Sequence, residues 1–563
     1  MLLSNFNLLA TATGGVTRLR ELILTLAVQG KLVPQNPADE PASVLLKKIR
    51  AEKDLLIAEG KIKRDKPLGA IGDKDKPFDL HQGWEWVRLG SVTKKITDGT
   101  HHSPANFSVG DFKYLSAKNI KSWGIDLSDV TYVPAAIHEE IYSRCDPEYG
   151  DILYIKDGAT TGVLTINTLK EPFSLLSSVG VLKPSCGLIS EYLAIVMRSS
   201  YFYQAMRDSM TGVAITRVTL SKLAVAIAPL PPLAEQSRIV TKVEELMRVC
   251  DALEAKGKLE VAQHAQLVST LLGTLAGSDT PEALAENWQR IAAHFDLLLD
   301  RPQAIDAFEQ TILQLAVRGL LVPQDPSDES ASVLLKRIQA EKDRLVLEGK
   351  IRRDKLLPPI AGEEQPFELP VGWKWVRLGQ LANFIDYRGK TPTKTESGIP
   401  LITAKNVRQG FINRLPREFI AETAYAGWMT RGFPKVGDLL FTTEAPLGNV
   451  AVIDIDEHFA LAQRVICFGL YEPQMSGALS TFLRSPWMQG VFSDQATGVT
   501  AQGIKSARLQ LIPIPIPPLA EQTRIVARIK ELRRLCADLR QRLSASQTTQ
   551  AHLAEALVES VAA

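Results

Sequence analysis

A chain of 563 residues with a formal charge of +2 is too long for one hydrophobic core and too near neutral to bind polyanions through bulk charge. Any nucleic-acid contact must therefore come from local basic clusters. Five scattered cysteines (Cys145, Cys186, Cys250, Cys467, Cys536) form no Cys-x-x-Cys pair, which excludes a disulfide framework or zinc ribbon, and no stretch is long and apolar enough to span a bilayer; a cytoplasmic protein is expected.

Residues 17–30 are predicted to be helical, because Leu19, Leu22, Ile23, Leu26 and Ala27 fall on one face. Gly30 is the expected C-cap, and Pro34 and Pro37 forbid continuation. A second helix is expected over 41–59, with Val44, Leu45, Ile49 and Leu56 facing one way, and a charged loop over 61–75. From Trp84 the grammar changes to short β-prone runs between Gly, Asp and Asn turns, at 86–89, 112–115, 152–155, 162–166 and 179–182, with one helix at 190–207. An α/β or α+β module closes near Pro231-Pro232.

Leu233 opens a different pattern. Ile239, Val243, Leu246, Cys250 and Leu253 form a heptad seam on a helix reaching toward Leu272, weakened at Gly257. Thr280 and Pro281 then cap and open a short helix. At 304–317 the chain starts again. Leu26-Ala27-Val28-Gln29-Gly30 returns as Leu315-Ala316-Val317-Arg318-Gly319, and Trp84-Glu85-Trp86-Val87-Arg88-Leu89-Gly90 as Trp373-Lys374-Trp375-Val376-Arg377-Leu378-Gly379, each 289 residues on. Pro231-Pro232-Leu233-Ala234-Glu235-Gln236 returns 286 residues on as Pro517-Pro518-Leu519-Ala520-Glu521-Gln522 and opens a second seam, Ile525, Ile529, Leu532 and Leu539. Cys250 and Cys536 fall at equivalent seam positions and read as small hydrophobes. Five segments follow: helical 1–83, module 84–230, central 231–372, module 373–516 and helical 517–563.

No catalytic constellation stands out. Arg388-Gly389-Lys390-Thr391 resembles the end of a phosphate loop, but Phe384 stands where that loop needs glycine and Pro392 disturbs the required helix. His101-His102 lacks a specified carboxylate partner and reads as polar surface. What remains is recognition chemistry at matched positions. Each module carries Ala-Lys-Asn after a strand: Lys118 and Asn119, then Lys405 and Asn406. Lysine suits phosphate or guanine, and Asn pairs with adenine; a turn-capping Asn is the equal alternative. Lys121 and Arg408 follow these turns. A Gly/Thr/Pro loop opens each module, the second carrying Arg388, Lys390 and Lys394. A Thr-Gly loop ends each, with Arg217 and Lys222 in the first and Gln502, Lys505 and Arg508 in the second. These basic and amide side chains are the DNA-contact candidates.

In its order of motifs, twice over, the chain resembles the specificity subunits of type I restriction–modification systems. The resemblance covers nearly the whole length and includes Gly150-Asp151-Ile152-Leu153 and Gly437-Asp438-Leu439-Leu440. It implies an α+β protein: two α/β-type target recognition domains in pseudo-twofold tandem, joined by long antiparallel coiled-coil helices. It further implies that each domain reads half of a split site in double-stranded DNA, without catalysis by this chain. Two methyltransferase subunits would dock on the helices and motor-nuclease subunits would join them. S-adenosylmethionine, ATP and Mg would be bound by those partners, not by this chain. A helix over 233–272 would be about 60 Å long at ~1.5 Å per residue, against about 34 Å for one DNA turn, so helix length would act as a ruler. A scaffold carrying two protein-binding modules on coiled coils is the alternative that the near-neutral charge leaves open.

Overall fold

The computed structural model describes residues 12, 14–64, 67–211, 216–353, 355–387, 392–498 and 502–562. The chain divides into two units: one runs to Leu259 and takes the chain up again from Gln547, the other spans Glu260–Ser546. Among the described residues no helix is long and apolar enough to cross a membrane.

In the first unit the opening helix, Gly15–Val28, buries Leu19, Leu22, Ile23, Leu26 and Ala27. Gly30 ends it at φ 73°, with Lys31 N–H donating to Leu26 O at 2.9 Å. A Cβ there would lie 2.4 Å from the His81 ring, so only glycine fits both the backbone and the packing. The module's main sheet is antiparallel, in the order Thr93–Asp98, Val179–Pro184, Ile152–Ile155, Leu164–Ile166. Its central strand Ile152–Ile155 and the start of Val179–Pro184 are apolar on both faces because both faces are covered. Ile152, Tyr154, Leu164 and Leu182 join the core that holds the opening helix, while Leu153, Ile155, Val179 and Val181 face a second core. A smaller sheet pairs Phe112–Leu115 antiparallel with Thr131–Val133 and parallel with Ser174–Leu175. A two-stranded ribbon, Glu85–Arg88 with Ile227–Leu230, joins the points where the chain enters and leaves the module.

The second unit repeats the plan. Its main sheet runs Ala382–Asp386, Val465–Leu470, Leu439–Thr442, Val450–Val452. Leu439, Phe441, Ile466 and Phe468 pack toward the helices, and Leu440, Val465 and Cys467 toward the module's own core. Its ribbon pairs Lys374–Arg377 with Pro513–Ile516.

The helix expected over 190–207 is two helices, Ser190–Arg198 and Ser200–Asp208. Ser199 is extended between them (ψ 149°), and its hydroxyl donates to Val196 O at 2.6 Å, a local bond that competes with helix continuation. In the second unit Ser485-Pro486 enforces the same break. The weakening expected at Gly257 is absent: Leu233–Ala276 is one continuous 44-residue helix, and Leu519–Ala562 is its 44-residue counterpart.

The duplicated Pro-Pro-Leu-Ala-Glu-Gln block joins module to helix. Trp84 Nε1–H donates to Glu235 Oε2 at 2.9 Å and Gln35 Nε2 to Glu235 Oε1 at 2.6 Å. Trp373 and Gln324 do the same for Glu521, at 2.9 and 3.2 Å. Burial pushes both carboxyls above their ordinary pKa despite these bonds. Gln236 donates to Pro231 O and accepts from Ile189 N–H, tying the helix start to the module.

The seam residues have partners the sequence did not name. Ile239, Val243 and Cys250 are buried and Leu246 and Leu253 half-buried, in the same core as the opening helix. Arg20 of that helix reaches Met247, Asp251 and Glu254. In the second unit Ile525, Ile529 and Cys536, with Leu532 and Leu539 beside them, share a core with the helix Pro302–Val317. In each half the seam thus lies in one core with the short helix of the same half. The far ends of the long helices behave differently. Ala554, Leu557 and Val558 pack into the first unit's core, where Arg18 donates to Ala551 O at 2.6 Å, and Val268, Leu272 and Leu275 pack into the second unit's core.

Candidate nucleic-acid interface

In the first module all three loops singled out by sequence meet at one segment, Leu175–Ser178. Thr100 N–H donates to Leu175 O and Ser177 N–H to Thr100 O, both at 2.8 Å, fixing the Gly/Thr loop. Ala117 N–H donates to Ser178 Oγ at 3.2 Å, fixing the Ala-Lys-Asn turn. Lys156 N–H donates to Ser178 O at 3.0 Å, and Val218 N–H to Lys156 O at 2.8 Å, bringing in the C-terminal loop. That loop is itself pinned by the paired backbone bonds of Thr211 and Arg217.

A charged cluster sits at this meeting point. Asp98 is buried, with its side chain 3% exposed, and holds Arg144 at 2.6 Å, His101 at 3.3 Å and the buried Lys156 at 3.4 Å. Arg144 and His101 remain half-exposed, so one buried carboxylate orients cationic and polar groups at the rim.

The second module keeps the backbone frame and changes the side chains. Ala462 N–H donates to Ile402 O, Thr443 N–H to Arg464 O and Ile504 N–H to Thr443 O, at 2.9, 3.0 and 3.0 Å. Thr497 and Gly503 close the C-terminal loop as Thr211 and Arg217 do. By the repeat spacing, Thr443 stands for Lys156 and Arg464 for Ser178. The cation has moved to the neighbouring strand end, where Arg464 is half-exposed and paired to Glu444 at 2.9 Å.

Both asparagines of the Ala-Lys-Asn turns are internal. Asn119 Oδ1 accepts from Ser116 N–H at 3.1 Å, and Nδ2 donates to Asp126 O and Asp129 O at 3.0 and 3.1 Å. Asn406 Oδ1 accepts from Thr403 N–H and Oγ1, and Nδ2 donates to Asn413 O and Pro416 O. Each is 2% exposed. The expectation that Asn119 and Asn406 read adenine is corrected: their amides are spent on pinning a hairpin, leaving the turn cap as their role.

The other candidates divide by what they touch. Lys118 is exposed and pairs with Asp129 at 2.8 Å; Lys394 and Lys405 converge on Glu418 at 2.7 and 3.9 Å. Lys121 and Arg408 are half-buried on the strands Ile120–Lys121 and Val407–Arg408 that follow the turns. Arg217, Gln502 and Lys505 are exposed on the C-terminal loops. Lys222 donates to Ser209 O, and Arg508 to Gln495 O at 3.2 Å. These two cations sit at equivalent positions and cap the C-terminal end of the preceding helix, where a positive charge complements the free carbonyls. Arg388 and Lys390 lie outside the described residues.

Sequence reasoning missed Arg144, Lys156, Arg464 and Trp123. Lys156 directly follows the strand Ile152–Ile155 and Arg464 directly precedes the strand Val465–Leu470. A charge abutting an all-apolar strand marks the rim of a sheet, and that signal was available. Trp123 is 73% exposed in the turn between Ile120–Lys121 and Gly124–Ile125. Arg198 supports that turn from below, donating to Ser122 O at 3.0 Å and Leu164 O at 3.2 Å. Its counterpart Arg484 lies beneath Gly410 of the equivalent turn, and burial pushes its guanidinium down to about 10. No group of three or more potential metal ligands occurs among the described residues.

The family model for the type I restriction modification DNA specificity domain matches residues 81–263 and 370–546. The chain is 37% identical to the EcoAI specificity subunit, a type I restriction enzyme subunit of Escherichia coli, over 97% of its own length and 93% of that protein's. It is 34% identical to the EcoEI specificity subunit of Escherichia coli over the same shares. A solved chain from work on complex assembly and conformational transition of the type I R-M system aligns over 86% of this chain and 99% of its own, at 19% identity and TM-score 0.47.

Proposed function

The chain belongs to the type I restriction–modification DNA specificity family, and from that premise we propose that it is the non-catalytic, sequence-reading subunit of such a system. Residues 84–230 and 373–516 are the two target recognition domains. Each reads one half of an asymmetric, split site in double-stranded DNA. The long helices form an antiparallel spacer on which two methyltransferase subunits dock, and motor-nuclease subunits join that core. Methyl transfer from S-adenosylmethionine and ATP- and Mg-dependent cleavage take place on those partners.

One observation carries the reading: the two modules share the backbone bonds around Lys156 and Ser178 in the first and Thr443 and Arg464 in the second, but differ in the side chains there. A cation stands at Lys156 in the first and at Arg464 in the second. Readers alike in shape and unlike in contact chemistry select unlike half-sites; identical readers would select a palindrome. Within each module the exposed and half-exposed groups supply the contacts: Lys118, Lys121, Arg144 and Arg217 in the first, Lys394, Lys405, Arg408, Gln502, Lys505 and Arg464 in the second. Lysines suit phosphates and arginines suit guanine edges.

Mapping methylated bases in DNA from cells carrying the whole system tests this directly. The expected result is two different short motifs separated by a fixed gap. A palindrome or one contiguous motif would overturn it. A gel shift with the methyltransferase partner, run against salt, addresses the scaffold alternative: DNA reading requires a steep salt slope.

A further inference from the structure

The two halves use the same apolar surface to join a long helix to a short one. Ile239, Val243, Leu246, Cys250 and Leu253 correspond to Ile525, Ile529, Leu532, Cys536 and Leu539. On the short helices Ile23, Leu26 and Ala27 correspond to Ile312, Leu315 and Ala316. Apolar packing therefore does little to tell one half's long helix from the other's.

The charges at the same contact are inverted. In the first half Arg20 of the short helix pairs with Glu254 of the long helix at 3.4 Å, and with Asp251 at 2.6 Å. In the second half the equivalent short-helix position is Glu309 and the equivalent long-helix position is Arg540, and these pair at 2.8 Å. Asp306 adds a second contact to Arg540 at 2.6 Å. The flanking acids are inverted in the same sense. Asp251 lies on the first long helix where the second has Ala537, and Asp306 lies on the second short helix where the first has Thr17. The acid-rich face is thus on the long helix in one half and on the short helix in the other.

We propose that these inverted ion pairs are a pairing code that seats each long helix on the short helix of its own half and rejects the long helix of the other half, including that of a second copy of this chain. An exchanged arrangement sets Arg20 against Arg540 in one place and Glu309 against Glu254 in the other, so both mismatches are like-charged. The ion pairs are partly exposed, and such pairs add little to stability while still deciding between near-equal partners. Burial lowers the Arg20 pKa but its hydrogen bond and charge pairing with Asp251 outweigh that and raise it, and the hydrogen bond to Glu309 raises that of Arg540.

The test uses the full chain, refolded from denaturant at fixed concentration and measured by size-exclusion chromatography with light scattering. T17D/R20E/D251A/E254R gives both halves the same polarity and removes the code. Its exchanged-dimer fraction should rise about three- to tenfold over wild type. Adding D306T/E309R/A537D/R540E makes the halves opposite again, with polarity reversed, and should return the fraction to the wild-type level. A dimer fraction unchanged in the first variant overturns the code, as does one still raised in the second. Thermal melts guard against simple misfolding: Arg20→Glu should lower Tm, and adding Glu254→Arg should restore part of the loss. No recovery would count against the pairing. Neither outcome bears on whether the modules read DNA.

Discussion

In the first module the loops meet over Ser178, with Lys156 buried beneath and held by Asp98; in the second, Arg464 stands half-exposed at the position of Ser178, with Thr443 in the buried place of Lys156. The hydrogen-bond skeleton beneath is common to both. Each has an Asn-pinned hairpin, a cation capping a helix end, and a closed C-terminal loop. The contrast teaches where divergence is tolerated. Residues that satisfy backbone groups are repeated, because losing one leaves buried carbonyls without a partner. Residues at the rim carry no such obligation, and there the two modules differ.

The largest effect that would disturb this symmetry is at the junction between module and long helix. Trp84→Ala removes a buried ring and its bond to Glu235, and should cost about 3 to 5 kcal/mol. Chemical denaturation followed by limited proteolysis should show the first unit opening earlier while the second resists. Equal loss in both units would mean that they do not respond separately. Next comes the hairpin pin. Asn119→Ala strips the partner from two carbonyls and should destabilise by about 2 kcal/mol or more, with the methylated motif unchanged in sequence. A relaxed first half-site without a drop in Tm would restore the base-reading role that the geometry denies it.

Arg464→Ala sharpens the comparison at the rim. It should weaken DNA binding about five- to hundredfold through the second half-site alone, as gel shifts against DNAs altered in one half-site would reveal. Uniform weakening at every sequence would reduce Arg464 to a phosphate contact. Asp151 offers a pH signature in the first module, where burial raises its carboxyl to about 6; burial also raises its counterpart Asp438 in the second. A raised carboxyl binds its proton more tightly when folded, so its contribution is full below the unfolded value near 3.8 and is lost as pH rises to about 6. Tm of Asp151→Asn should fall less steeply than wild type across that window; parallel curves would exclude Asp151 as the cause. The smallest effect belongs to Lys118→Ala. Its exposed pair with Asp129 adds little stability, and DNA affinity should drop about two- to fivefold at all sequences, with the salt slope lower by about 1.

Much of this organisation could be read from spacing. The repeat offsets placed both modules between Trp84 or Trp373 and the Pro-Pro-Leu-Ala-Glu-Gln blocks, and the helical periods placed the opening helix and its glycine stop. Partners were harder to read. Ile239, Val243 and Cys250 declare an apolar stripe, but a stripe does not name its neighbours, and the core it joins also holds the short helix Gly15–Val28. The Ala-Lys-Asn turns were visible as turns, yet only the folded hairpin reveals that both polar ends of Asn119 are engaged. Arg144 and Lys156 meet at Asp98 from distant points in the chain, and no local pattern joins them.

The chain's last helix begins in one unit, and Ala554, Leu557 and Val558, near its end, lie in the core of the other. Sequence position therefore misleads about which part a truncation would injure. Shortening the protein from Gln547 would leave the second module its own packing and strip cover from the helix Gly15–Val28, more than five hundred residues earlier in the sequence. The tail is a keystone of the beginning.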